Sequence, residues 1–276
     1  MRLGFLGSGK IALHHAAAFS YLGATIAASA ARSEMSAAAC EFRARTNACF
    51  MTPDQLLSAS DIDAVIACLP AEATAQWLQQ LLASSKPILI EKPIFPAGLD
   101  VTRGDKLVGY NRRFYKTVTA LKERLSRGGV IAVQATFPGT LYGAALHGLD
   151  LLFYLLGPLT WKQPGRNGFA ETSAGVPVSL AINPDDPVNA SIRAIMNDGT
   201  SWMLSPFETL SVFQGFDVDG TTIRRYTPRL VQRIEEQSDF KPGFLDQARA
   251  FLSKDFGPGA RPAESVKLME FVDEIR

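Results

Sequence analysis

Apolar residues cluster from Leu3 to Leu6, two glycines at 7 and 9 interrupt them, and residues 11–19 resume with helical spacing. A short run that is apolar on both faces reads as a buried strand, and the segment after the glycines as a helix. The alternation continues through the first hundred residues. Strands are expected at 24–29, 63–69 and 87–90, helices at 34–45 and 73–83, and a short capped helix at 53–57. Strands separated by helices require crossover connections and therefore a parallel sheet. Beyond about residue 116 the texture changes. A helix at 117–125 precedes strand-like stretches at 130–137, 176–182, 189–196, 200–204 and 209–216, set apart by Pro, Gly, Asn and Asp. Two helices, at 244–252 and 263–275, complete the chain.

The expectation is an α/β chain with a doubly wound parallel sheet over 1–112 and an α+β domain with a mostly antiparallel open sheet over 113–276. Two domains suit a length of 276 residues. A net charge of +1 without a basic cluster argues against nucleic acid as a partner. No apolar run reaches the roughly 18 residues of a membrane span, and Met1-Arg2 leads into a strand rather than a signal peptide. Cys40, Cys49 and Cys68 lack metal-ligand spacing, so buried, reduced thiols in a cytoplasmic protein are expected, with no metal site.

The glycines carry chemistry. Gly7-Ser8-Gly9-Lys10-Ile11-Ala12 joins the first strand to the first helix, the setting that a dinucleotide-binding turn requires. Gly7 permits the tight turn, Gly9 lets backbone approach a pyrophosphate, and Ala12 allows close packing of helix on strand. This is the Rossmann arrangement. At the end of the second strand, NAD-selective proteins place an acid that accepts the ribose hydroxyls. Here Arg32 and Ser33 stand instead, with no carboxylate before Glu34, so charge favours NADP(H), with NAD possible. The alternative is that Arg32 only stacks on the adenine or caps a loop.

At Ile90-Glu91-Lys92-Pro93 the chain begins to resemble the glucose-fructose oxidoreductase, inositol dehydrogenase and MocA family. The stretch 63–70 is similar to the family's strand ending in proline. Gly109-Tyr110-Asn111-Arg112-Arg113-Phe114 is similar to its crossover, Leu146-His147-Gly148-Leu149-Asp150 with Leu155-Leu156-Gly157 to its histidine helix, and Phe240-Lys241-Pro242-Gly243-Phe244 to a C-terminal segment of sugar-active members.

The resemblance implies hydride exchange between a nicotinamide cofactor and a hydroxyl or keto carbon of a sugar, sugar derivative or cyclitol. Removing a hydride from a carbinol requires its hydroxyl proton to leave too. The resemblance assigns that proton to Lys92 and His147, with the Lys92–Pro93 peptide cis. Cofactor contacts are expected from Gly7, Ser8, Gly9, Lys10, Ile11, Arg32, Ser33, Leu69, Pro70, Glu91 and Lys92, and substrate contacts from Asn111, Arg112, Tyr142, His147 and Asp150. Arg113 is a further pocket candidate, although a structural salt bridge suits either arginine. Lys241 is a candidate for an anionic substituent. His14 and His15 read as packing or surface residues. A homo-oligomer, dimer or tetramer, is the family expectation.

Three departures accompany these matches. Gly143 stands where inositol-type members carry an aspartate one turn before the histidine, Thr74 replaces a histidine after the strand-end proline, and 94–107 is short for the family's helix there. They leave open two other readings: a cofactor-binding sensor or scaffold without turnover, and a redox-assisted glycosidase that retains NAD.

Overall fold

The computed structural model describes residues 1–183, 185 and 189–275. The N-terminal elements are β1 (Arg2–Leu6), α1 (Lys10–Tyr21), β2 (Thr25–Ala30), α2 (Ala37–Thr46), β3 (Cys49–Phe50), α3 (Pro53–Ser58), β4 (Ala64–Ala67), α4 (Ala71–Ala83), β5 (Ile88–Ile90) and β6 (Lys106–Val108). Their strands form one parallel sheet in the order β3-β2-β1-β4-β5-β6. The order reverses between β1 and β4, and the carboxyl ends at such a switch point are where doubly wound sheets bind ligands. A 3₁₀ turn at Asn111–Phe114 follows β6.

Next come α5 (Lys116–Ser126), β7 (Val130–Pro138), α6 (Ala144–Leu156), β8 (Leu159–Gln163), β9 (Asn167–Thr172), β10 (Pro177–Asn183), β11 (Ser191–Met196), β12 (Thr200–Leu204), β13 (Thr209–Asp219) and β14 (Arg225–Glu235). These strands build a second sheet, ordered β14-β13-β12-β11-β7-β10-β9-β8. All its pairs are antiparallel except β7 with β10. The chain finishes with α7 (Phe244–Ser253) and α8 (Pro262–Asp273).

The domain boundary differs from the expected one at 112/113. One compact unit comprises Met1–Phe114 and Ser238–Lys267, the other Tyr115–Gln237 and the segment from Leu268. The reason is the apolar face of α7. Phe244, Ala248 and Phe251 recur at helical spacing and join Leu3, Phe5, Ala12, Ala16 and Phe19 in one buried core. The rings of Phe19 and Phe251 meet edge-on at 5.8 Å. Without α7 that side of α1 would face water.

In the second unit, α6 lies against β7 so closely that a Cβ on Gly148 would come 2.3 Å from the Phe137 ring. Tyr142 hydrogen-bonds Asp273, and Trp161 stacks on Phe271 with centroids 4.3 Å apart. The hairpin of β13 and β14 leaves Phe216, Val218, Ile223, Tyr226, Leu230 and Val231 about half exposed or more.

The expectation of three buried thiols is corrected. Cys40 and Cys49 are exposed, and Cys68 alone is half-buried. Cys40 lies on α2, which buries Ala39 and Phe42, whereas Cys49 begins β3, the edge strand of its sheet. Among the described residues no helix is long and apolar enough to cross a membrane, and no three His, Cys, Asp or Glu side chains gather as a metal site.

Candidate active site

Five strand ends of the first unit lie side by side, those of β2, β1, β4, β5 and β6. Gly7 donates its N–H to Ala30 O at 2.7 Å, Cys68 to Leu6 O at 2.8 Å, Glu91 to Ala67 O at 2.8 Å and Gly109 to Ile90 O at 2.8 Å. Gly7 has φ +101°, and a Cβ there would lie 2.3 Å from Cys68 O, so only glycine fits between the ends of β1 and β4. Gly9 presents the opposite case. It is the N-cap of α1 with extended backbone, and a Cβ on it would meet nothing within 4 Å.

The first turn of α1 has neither a side-chain cap nor an acidic residue. Its N–H groups and the positive end of the helix dipole therefore remain available to an anion. The open space over Gly9, beside an uncapped helix, fits a dinucleotide pyrophosphate. Ser8 is buried within the turn, Lys10 is exposed and Ile11 half-buried. Past β2, Arg32 and Ser33 are exposed, and Glu34 is held by Arg43 at 2.7 Å.

Leu69 and Pro70 follow β4, and their carbonyls accept the hydroxyl of Thr74 at 3.3 and 3.1 Å. Thr74, nearly fully buried, thus ties the first turn of α4 back to the loop after β4. Residues 94–105 form no helix, as their length suggests, and run as turns and loop into β6.

Glu91 and Lys92 extend from β5, and the Lys92–Pro93 peptide is cis. The carboxylate of Glu91 meets Nε2 of the fully buried His15 at 2.8 Å. His15, expected as a packing or surface residue, is packed inside and also bonds Glu91. Its signal was present: Ala12, His15, Ala16 and Phe19 share the inward stripe of α1, while His14 falls outside it.

Burial lowers the proton affinity of the half-buried Lys92; Glu91 opposes this, and Arg112 and Lys241 add to it. Lys241 is depressed for the same leading reason, again with Glu91 opposing and Arg112 reinforcing. Its Nζ lies 5.0 Å from the Phe244 ring, and that ring lies 4.5 Å from His15. Burial, and secondarily Glu91, pushes the Cys68 thiol well up, so it stays protonated. His14 is lowered by burial, then by Lys241 and His15. The strand ends therefore gather Glu91, His15, Lys92, Arg112 and Lys241 around the switch point. An amine of reduced proton affinity beside a dinucleotide turn can exchange a proton near neutrality more readily than an ordinary lysine.

Two expected substrate ligands have structural partners. Asn111 is buried, and its Nδ2 donates to Pro242 O at 2.8 Å, tying the 3₁₀ turn to the segment that carries Lys241. Tyr142 is bonded to Asp273 Oδ1 at 3.0 Å. Arg112 is half-buried, whereas Arg113 pairs with Glu264 at 3.0 Å, the structural salt bridge anticipated for each arginine. In the second unit, His147 is half-buried on α6 and Asp150 is buried one turn later. Gly143 is the N-cap of α6, and a Cβ there would approach Thr140 Oγ1 to 2.5 Å.

Comparison with known proteins agrees with this architecture. Residues 1–120 match the model of an oxidoreductase family with an NAD-binding Rossmann fold. An inositol 2-dehydrogenase of Rhizobium meliloti is 33% identical over 144 residues, covering 49% of this chain and 43% of that protein. An inositol 2-dehydrogenase 2 of Paenarthrobacter aurescens is 24% identical over 241 residues, covering 72% and 70%. The first of these alignments thus spans less than half of its relative's length. Among solved structures, a levoglucosan dehydrogenase in complex with NADH has a TM-score of 0.76 at 14% identity, over 100% of this chain and 95% of its own. A 3-ketoreductase from Actinomadura kijaniata in complex with NADP has a TM-score of 0.74 at 18% identity, over 100% and 96%. These two likenesses establish the shared fold. The N-terminal segment, residues 1–120, thus resembles the NAD-binding Rossmann domain of the glucose-fructose oxidoreductase, inositol dehydrogenase and MocA family of oxidoreductases.

Proposed function

We propose that this protein is an NADP(H)-preferring oxidoreductase that exchanges a hydride with a hydroxyl or keto carbon of a sugar, sugar derivative or cyclitol. The observation that carries the reading is Lys92, an amine of lowered proton affinity at the end of β5, at the same carboxyl end of the sheet as the open Gly7–Gly9 turn. When bound, the nicotinamide supplies the hydride acceptor or donor. Gly7, Ser8, Gly9, Lys10 and Ile11 hold the pyrophosphate, Arg32 and Ser33 the adenosine end, and Leu69, Pro70 and Glu91 border the nicotinamide end. Lys92 donates a hydrogen bond to the substrate oxygen and disperses the charge that develops there. His147 exchanges the hydroxyl proton, and Asp150, one turn later on the same helix, orients it. Arg112 and Tyr142 bind further substrate oxygens.

Copies of the chain are proposed to associate. The support is the β13–β14 hairpin, which leaves the large apolar side chains Phe216, Val218, Tyr226 and Leu230 about half exposed, surface that a second copy would bury. Light scattering coupled to size exclusion would read one chain mass if the association is absent.

Thermal-shift titration tests the whole reading. NADPH and NADH come first, then sugars, sugar acids, sugar nucleotides and cyclitols with the better cofactor present, because a ligand that binds only the native state raises its melting temperature by mass action. Absorbance of reduced nicotinamide then follows turnover on each hit. Hydride transfer on at least one hit is expected. Cofactor binding with no transfer across the panel would replace the enzyme by a nicotinamide-binding sensor.

A further inference from the structure

The ring of His15 is sealed inside the first unit, 4.5 Å from the Phe244 ring and 6.3 Å from that of Phe19. Nε2 reaches Glu91 Oε1 at 2.8 Å, whereas Nδ1 is buried with no hydrogen-bond partner among the described residues. This asymmetry assigns the tautomer. A buried N–H without an acceptor forfeits a full hydrogen bond, and a bare lone pair among aromatic rings forfeits less, so the ring proton sits on Nε2 and is donated to the carboxylate.

Glu91 immediately precedes Lys92, and the two carry opposite charges. Among the described residues, no hydrogen bond or ion pair joins them, and the carboxylate bonds His15 instead. Gly109 makes the room, since a Cβ there would come within 2.8 Å of the Glu91 carboxyl group.

We propose that His15 is a positioning residue: its Nε2–H holds the Glu91 carboxylate against α1 and so keeps the Lys92 amine from closing an ion pair with its neighbour. The proposal rests on the reading of Lys92 as a proton-handling group and adds the device that leaves that amine available. The charged groups facing Lys92 in its own unit are Glu91, Arg112 and Lys241. Cys68, which also faces Glu91, is uncharged, and His14 faces Lys241 and His15. With the donor gone, the carboxylate turns to the nearest cation, and a direct ion pair raises the amine's proton affinity.

The test needs no substrate. The apo protein is labelled with trace acetic anhydride across a pH series, and the acetylation midpoint of Lys92 is read by peptide mass spectrometry. His15→Phe fills the pocket between Phe19 and Phe244 but donates nothing, whereas His15→Gln keeps an N–H donor. The midpoint is expected to rise by about one pH unit or more in His15→Phe and to return toward wild type in His15→Gln, the size of effect expected for a new opposite charge at contact. An unmoved midpoint in folded His15→Phe, or equal shifts in the two variants, overturns the proposal. Should His15→Phe not fold, His15→Leu, which also lacks a donor, takes its place: Glu91→Gln should lower the midpoint, and adding His15→Leu should move it no further, while a further rise equal to that of His15→Leu alone overturns the coupling. Because labelling does not depend on turnover, a moved midpoint in a protein without hydride transfer supports the His15 arrangement while sinking the catalytic reading of Lys92.

Discussion

Arg43 on α2 holds the carboxylate of Glu34 at 2.7 Å, which commits the first acidic side chain after β2 to a helix partner. Arg32 is then the charge presented at the strand end where NAD-selective proteins place an acid. NADPH should bind about ten- to a hundredfold more tightly than NADH, the worth of one charge-assisted contact of roughly 1.5–3 kcal/mol. Titration by fluorescence would show it, and Arg32→Ala should bring the two affinities together. An unchanged ratio in that variant would assign selectivity to other residues.

The two glycines of the turn should fail differently. Gly7→Ala combines a positive φ with a clash on Cys68 O and should destabilise the fold by about 2 kcal/mol or more. Gly9→Val projects into open space, so its melting temperature should stay near wild type while dinucleotide binding disappears. Normal cofactor titration in folded Gly9→Val would move the binding site away from this turn.

Lys92→Met and His147→Ala should keep cofactor affinity yet lower the rate at saturating substrate by about 10²–10⁴. The pH dependence follows from Lys92. Its proton affinity is depressed below that of an ordinary lysine, whose midpoint is 10.5, so the neutral amine appears at lower pH and the alkaline limb of oxidation should have its midpoint below that value. Wild-type rates in both variants would shift attention to Tyr142.

Gly148 allows α6 to touch β7 through Phe137. Alanine gains roughly 1 kcal/mol of helix propensity there, but it must displace a fully buried ring, a cost of about 1–3 kcal/mol, so clash prevails and Gly148→Ala should lower stability. Denaturant unfolding checks this. The shift of α6 should also reduce turnover, since His147 is the adjacent residue.

Asp198, in the turn between β11 and β12, accepts from the hydroxyl and backbone N–H of Thr200 and from Arg124, and its midpoint falls from 3.8 to about 2. A carboxyl depressed in the folded state contributes stability above its unfolded midpoint and loses it as pH falls through the folded one. Asp198→Asn should therefore melt below wild type at neutral pH, with the gap narrowing as acid is added below 3.8. A gap independent of pH would assign the effect to turn geometry.

The first unit was largely legible because a strand buried on both faces, a glycine turn and an amphipathic helix each leave a local signature. The expected strand at 24–29 and helix at 73–83 lie within two residues of β2 and α4. β14 left none. Ten of its eleven residues are exposed, and Arg225, Pro228, Arg229 and Arg233 break any alternation, so pairing with β13 rather than burial defines it. β8 and β9, at the opposite end of that sheet, went unread as well. At the site, the Glu-Lys-Pro stretch was readable as sequence, but the partner of Glu91 lies 76 residues away. Only the helical phase of α1 hinted that His15 faces inward. Asn111 and Tyr142 suit a polar pocket by residue type, and only the fold reveals the partners they already have.

The return of Ser238–Lys267 to the N-terminal unit has a consequence for synthesis. A ribosome that has made the whole parallel sheet still holds a domain lacking one wall: the side of α1 bearing Phe19 stays bare until the second sheet has been translated and Phe244, Ala248 and Phe251 emerge. The dinucleotide turn starts that helix, so a nascent chain with an intact glycine motif lacks a settled core beneath it and exposes apolar surface that chaperones recognise. Expression of 1–120 alone should accordingly give an aggregating fragment, and cofactor supplied during translation should protect the chain from proteolysis only after α7 has left the exit tunnel.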